Sequence, residues 1–142
     1  MTAQTTQRNS SDSADEALVR KLLEAVSALR IDDAAALLSP DLLLELPFRH
    51  DGGQPSLRGE AALRFIRSMP KLFTRMNFTE ITVHGCTGSG VIAAEYRSNG
   101  LTKAGEAYVN GYAGFFDVRD GKVTRWREYY DPMVIQKAFK LP

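Results

Sequence analysis

Four runs between residues 76 and 131 alternate in polarity with a period of two, and they constrain everything else in the chain. Residues 76–86, 90–98, 106–118 and 122–131 each read as a strand. Gly88-Ser89-Gly90, the loop Asn99–Gly105 and Asp120-Gly121 separate them, and Asp-Gly is a strong hairpin signal. Strands joined by connections this short pair as an antiparallel meander. One face of such a sheet has to be covered by apolar side chains from elsewhere. The first half of the chain must supply that cover.

It reads as helical. Ser13 and Glu16 have the spacing of a capping box, and Leu18, Leu22, Val26 and Leu29 follow at helical intervals. Asp32 is placed to cap a short second helix, Asp33 to Leu38, broken by Ser39-Pro40-Asp41. Leu42 to Phe48 (LLLELPF) reads as a buried strand, with Pro47 restricting it to an edge or an end. The segment 49–58 is a loop by composition. Ala62, Leu63, Phe65, Ile66 and Met69 mark another amphipathic helix, stopped by Pro70. Met133 to Leu141 has room for a terminal helical turn or two. Residues 1–12 are too polar to repay ordering and are expected to be a disordered tail, leaving 13–142 as a single domain. Helices segregated from a strand meander define an α+β fold rather than a doubly wound parallel one. A long sheet curled around such helices encloses an apolar pocket with a few polar groups.

Composition removes several function classes. Lys and Arg number 18 against 17 Asp and Glu, a net charge of +1. That balance gives no basic excess for nucleic acid or an acidic membrane. One cysteine, Cys86, excludes an internal disulfide, and two histidines, His50 and His84, exclude a His-rich metal site. No apolar run approaches the roughly 20 residues of a membrane span. The N-terminus lacks the apolar stretch of a signal peptide. The expected location is cytoplasmic, with no nucleic-acid or membrane partner and no cofactor.

Strand alternation selects the candidate residues. In the last strand Thr124, Trp126, Glu128 and Tyr130 point one way, and Arg125, Arg127, Tyr129 and Asp131 the other. A carboxylate between two aromatics on a pocket face is desolvated, which raises its pKa toward usefulness as a general acid or base. The alternative is a Glu paired across the sheet with an Arg. In strand 90–98, Glu95 and Arg97 share a face. If that is the pocket face, Arg97 pairs with Glu128 or holds an anionic substrate group; otherwise the two are a surface pair. Tyr108, Asn110, Tyr112, Gly114 and Phe116 form a face of polar tips on apolar bodies. Val109, Gly111, Ala113 and Phe115 form a small, apolar one that suits packing against a symmetric copy. Glu45, inside an apolar run, is either solvent-facing or buried in the pocket. His50 lies in a polar loop, His84 is expected on a sheet face without chemistry, and Cys86 has no visible base to activate it.

LLLELPF, then RGEAALRFI, then the closing FFDVRDGKVTRWREYYDP resemble the SnoaL-like branch of the cone-shaped superfamily named after nuclear transport factor 2. The resemblance spans about residues 14–139. It implies a cone-shaped, curved antiparallel sheet wrapped around N-terminal helices; the homodimer is expected separately, from the apolar outer face of the long strands. Relatives include polyketide cyclases, ketosteroid isomerases, limonene-epoxide hydrolases and phenazine-biosynthesis A/B proteins. In the last two, the position matching Glu128 carries an acid/base carboxylate, which makes Glu128 the leading catalytic candidate, with Arg97 as its partner. The epoxide hydrolases' Arg-x-Asp reads Glu95-Tyr96-Arg97 here, with the charge order reversed, and the isomerases' Asp before proline is Leu46. The implied activity is acid/base isomerisation, cyclisation, condensation or hydration of a small apolar or aromatic ligand. Glu45, Glu95, Asn110, Tyr112, Trp126 and Tyr130 would contact it. The competing reading is a non-catalytic binding or dimeric interaction domain of the same fold.

Overall fold

A computed structural model describes residues 10–85 and 90–142, with side chains from Ser13 onward. Helix α1 (Ser10–Ser27) and the short α2 (Ile31–Ala36) lead into β1 (Leu38–Glu45) and β2 (Ser56–Arg58). Helices α3 (Glu60–Arg67) and α4 (Met69–Leu72) follow, then β3 (Phe73–Arg75), β4 (Phe78–Gly85) and β5 (Val91–Ser98). Strands β6 (Gly100–Thr102), β7 (Ala107–Tyr108), β8 (Gly111–Arg119) and β9 (Lys122–Tyr130) precede the final helix α5 (Pro132–Ala138).

The main sheet is curved, open and six-stranded, in the order β2-β1-β9-β8-β5-β4. The meander β4-β5-β8-β9 is antiparallel throughout. β1 joins it parallel to β9, setting Leu44 beside Trp126, so the sheet is mixed. Its concave face carries the helices. Val19, Leu22, Leu23 and Val26 of α1 are buried, in a core shared with Leu44 of β1 and Ile92, Ala94 and Tyr96 of β5. Burial of such side chains contributes roughly 1.5–3 kcal/mol each and is the main force holding the cover to the sheet.

Several boundaries differ from expectation. α1 begins at Ser10, so Ser13 lies within the helix and does not cap it. Residues 10–12, expected in the tail, are helical; the rest of that tail, Cys86 and the Gly88-Ser89 turn lie outside the described residues. Pro70 does not stop a helix but sits in the first turn of α4, where its missing N–H costs nothing. The run 106–118 is two strands. β7 pairs with β6, and β6 with β3, in a separate three-stranded sheet, and β8 starts only at Gly111. Between them Asn110 turns its side chain onto the backbone, accepting from Gly111 N (2.9 Å) and Asp131 N (3.0 Å). In β9, register shifts one residue, so that Asp117 faces Arg125 but Val118 faces Val123. This bulge turns Val123 into the core and leaves Thr124 off the face it was expected to share with Trp126.

Candidate functional site

The sheet's concave face, α3, α4, the loop after β1 and the C-terminal segment enclose a cavity of about 330 Å³. Its walls are largely apolar. Leu44 and Leu46 come from β1 and the residue following it, Phe65 and Met69 from the helices, and Phe73 and Phe78 from the strands beyond. Ile135, Phe139 and Leu141 close one side. The last strand supplies Trp126, Glu128 and Tyr130, adjacent positions on one face of β9.

Glu128 is the chemical centre. It is half-buried by accessible surface, set among the residues that line the cavity. Burial pushes its carboxyl up to about 7, offset in part by a hydrogen bond from Tyr96. The Tyr96 hydroxyl donates to Glu128 Oε2. No hydrogen-bond donor to Oε1 is found among the described residues, and that oxygen is not sealed from the cavity.

Tyrosines surround this carboxylate. The Tyr96 ring stacks on Tyr112 with centroids 5.0 Å apart. Tyr112 Oη lies 2.9 Å from Tyr108 Oη and 3.2 Å from Ser98 Oγ. Asn110 Nδ2 donates to Tyr108 Oη at 3.2 Å and to the Asp131 carbonyl at 3.1 Å. Burial, reinforced by Glu128, pushes the Tyr108 and Tyr130 phenols up to about 12 and those of Tyr96 and Tyr112 well above their usual value. All four therefore stay neutral and keep their protons at physiological pH. The Trp126 indole N–H is buried without a hydrogen bond of good geometry; it lies toward the Tyr96 hydroxyl and offsets a little of the upward push on that phenol.

A second polar group lies elsewhere on the wall. Arg49 Nε contacts Asp51 Oδ1 at 2.7 Å, and Nη1 donates to the Gln54 carbonyl at 2.9 Å. Its guanidinium lies 5.0 Å from the Phe65 ring centroid. The pairing and the Gly53 N–H outweigh partial burial and hold the Asp51 carboxyl below its usual value.

Of the residues singled out from sequence, Glu128, Trp126, Tyr112 and Tyr130 line the cavity together. The other four are placed elsewhere. Arg97 and Glu95 are exposed on the outer face of β5. Arg97 reaches toward Glu80 at 3.9 Å, Glu95 accepts from or pairs with His84 Nε2 at 3.0 Å, and Arg97 does not touch Glu128. The strand presents its other parity, Ile92, Ala94 and Tyr96, inward. Glu45 alternates with the buried Leu44 and Leu46 and contacts Arg125 Nε at 2.5 Å, away from the cavity. Asn110 is buried, but its amide is spent on Tyr108 and the backbone, so it braces the site without lining it. His50 is exposed at a shallow crevice beside Tyr130. Sequence reasoning missed Tyr96, Arg49 and Asp51. For Tyr96 the signal was present: in VIAAEYRS one parity collects both charges, so the other belongs inside.

Helices packed on a curved, open, mixed sheet define the fold class of this chain as a cone-shaped α+β domain. The chain belongs to the SnoaL-like family, whose domain matches residues 19–126. It is 30% identical over 105 residues to YesE, an uncharacterized protein of Bacillus subtilis (strain 168), covering 72% of this chain and 71% of that one. A crystal structure of a "putative isomerase" from Bacillus subtilis superposes with a TM-score of 0.84 at 26% identity, covering 95% and 98% of the two chains. A "putative polyketide cyclase" from Xanthomonas campestris pv. campestris superposes at 0.75 and 26% identity, covering 94% and 100%. Among the described residues, no helix is long and apolar enough to cross a membrane.

Proposed function

We propose that the chain is a cofactor-independent enzyme performing acid/base chemistry on a small apolar cyclic molecule held in the cone. One observation carries this reading: a carboxyl group with a pKa of about 7, one oxygen held by Tyr96 and the other open to an apolar cavity. A group poised there exchanges protons in either direction near neutrality. No guanidinium locks Glu128 among the described residues. The names of the two solved relatives, "putative isomerase" and "putative polyketide cyclase", denote reactions of this general kind. Isomerisation, cyclisation, condensation and hydration can each be assisted by a carboxyl that gives or takes a proton. The protein works as a homodimer in this reading, formed through the outer sheet face.

The test works without an identified substrate or product. Wild type and Glu128→Gln are incubated in deuterated water with a panel of cyclic ketones and epoxides. Proton exchange beside the carbonyl and ring opening are then read by NMR. The wild type should exceed the variant by about 10²–10⁴-fold on at least one compound. Equal rates across the panel would reject catalysis by Glu128 and leave the binding-module reading of the same fold.

A further inference from the structure

The charged groups lining the cavity do not balance. Arg49 is the one cation that lines it among the described residues, and Asp51 already neutralises it at 2.7 Å. Glu128 is left without a counter-charge, with Oε1 open to the interior. The other titratable groups facing it are phenols: Tyr96 from β5, Tyr108 from β7, Tyr112 from β8 and Tyr130 from β9. The helices contribute no charged side chain to the wall.

The surroundings of that oxygen are aromatic. Trp126, Tyr108, Tyr112, Tyr130 and Phe78 all line the same space. Aromatic faces carry negative potential and attract a cation, most strongly where water is excluded. A lone buried carboxylate within aromatic walls is complementary to one kind of ligand head.

We propose that the ligand of this cavity is an apolar molecule bearing a basic nitrogen, whose ammonium donates to Glu128 Oε1 and rests against the aromatic wall. The inference rests on the reading of Glu128 as the polar centre of the ligand site and adds the substrate's charge class to it. A neutral alcohol would use the same oxygen but gain nothing from the missing counter-charge. An anion would meet repulsion from Glu128 and find Arg49 occupied.

Trp126 is the only tryptophan of the chain, so its fluorescence reports cavity occupancy. Three probes of one rigid shape, transparent where tryptophan is excited, separate the cases: 1-adamantylamine, 1-adamantanol and adamantane-1-carboxylate. One unit above the Glu128 pKa of about 7, the amine should bind at least about tenfold tighter than the alcohol. Its affinity should fall by up to about tenfold per pH unit below that pKa, because binding requires the ionised carboxylate. The alcohol should be nearly flat. Glu128→Gln should abolish the amine's advantage while still binding the alcohol.

The inference is overturned if amine and alcohol bind equally above the pKa, if amine affinity is flat with pH in the wild type, if the carboxylate binds tightest, or if the amine leaves Trp126 unchanged at millimolar concentration. The wild-type pH series decides the matter even if the variant fails to fold. These readouts are equilibria. Turnover of a neutral ketone with no preference for amines would remove this inference alone. Amine binding without any proton exchange would remove the catalytic reading alone.

Discussion

Tyr96 on β5 reaches Glu128 on β9 across an intervening strand, and Gly114 of β8 makes the crossing. Gly114 lies opposite both Ala94 and Glu128 in the sheet register. A Cβ at Gly114 would stand 3.0 Å from the Tyr96 hydroxyl oxygen and 2.8 Å from the Phe116 ring. The missing side chain is therefore the opening through which the phenol meets the carboxylate. Gly114→Ala should cost about 1–3 kcal/mol, the range for overpacking, read as a lower midpoint in denaturant. It should also displace Tyr96 from Glu128, seen by NMR as an upward shift in the Glu128 pKa. An unchanged pKa in a folded Gly114→Ala protein would mean the phenol reaches Glu128 by another route.

Tyr96→Phe tests the hydrogen bond itself. A donor to a carboxylate stabilises the ionised form, so it holds the pKa below what burial alone would impose. Removing the hydroxyl should raise the Glu128 pKa above about 7. It should also move the alkaline limb of any activity profile that depends on the protonated acid to higher pH. Carboxyl-labelled NMR titration of the two proteins measures the shift directly. A fall in pKa would reject Tyr96 as a positioning donor.

The same group makes stability depend on pH. Glu128 titrates near 7 when folded and near 4.5 when exposed. Between those values the folded state holds a proton that the unfolded state has released. Stability from this group is therefore complete below the unfolded value and declines as pH rises through about 7. The full difference is on the order of 3 kcal/mol. Glu128→Gln cannot ionise, so the variant should gain relative to wild type as pH rises from about 5 to about 8. Parallel melting curves across that range check it, and a constant difference would contradict the assigned burial.

Strand parity made much of this site legible. Trp126, Glu128 and Tyr130 alternate along an uninterrupted half of β9, so their shared face follows from spacing alone. For β5 spacing yields two faces but not which is inner, and its charged pair suggested chemistry. Charges on that parity face solvent because Ile92, Ala94 and Tyr96 fill the concave side. Glu45 is the same case on β1. Asn110 and the small β3-β6-β7 sheet were illegible for a different reason. A two-residue strand carries no period, and its placement depends on β6 and β3. Arg49 and Asp51 sit in a polar loop without periodicity, where Arg49 packs its guanidinium over the bare Cα of Gly53 and pairs with Asp51, a tertiary arrangement that spacing does not encode.

The outer face of β8 and β9 sets the last prediction. Tyr129 packs edge-on to Phe48 at 5.1 Å and Phe115 at 6.1 Å, and Phe48 is 52% exposed. The Arg127 guanidinium lies 5.3 Å from the Phe115 ring centroid, with a buried Nε that has no hydrogen-bond partner. A buried unpaired guanidinium N–H costs about 1–3 kcal/mol, and exposed aromatics forgo burial. A second copy laid symmetrically on this face would supply apolar cover for Phe48 and its aromatic neighbours. Sedimentation at micromolar concentration should show a homodimer. Tyr129→Glu should shift it to monomer without lowering 1-adamantanol binding in the cavity on the opposite side of the sheet. A wild-type monomer at that concentration would reject the dimer and leave the aromatic patch without a partner of its own kind.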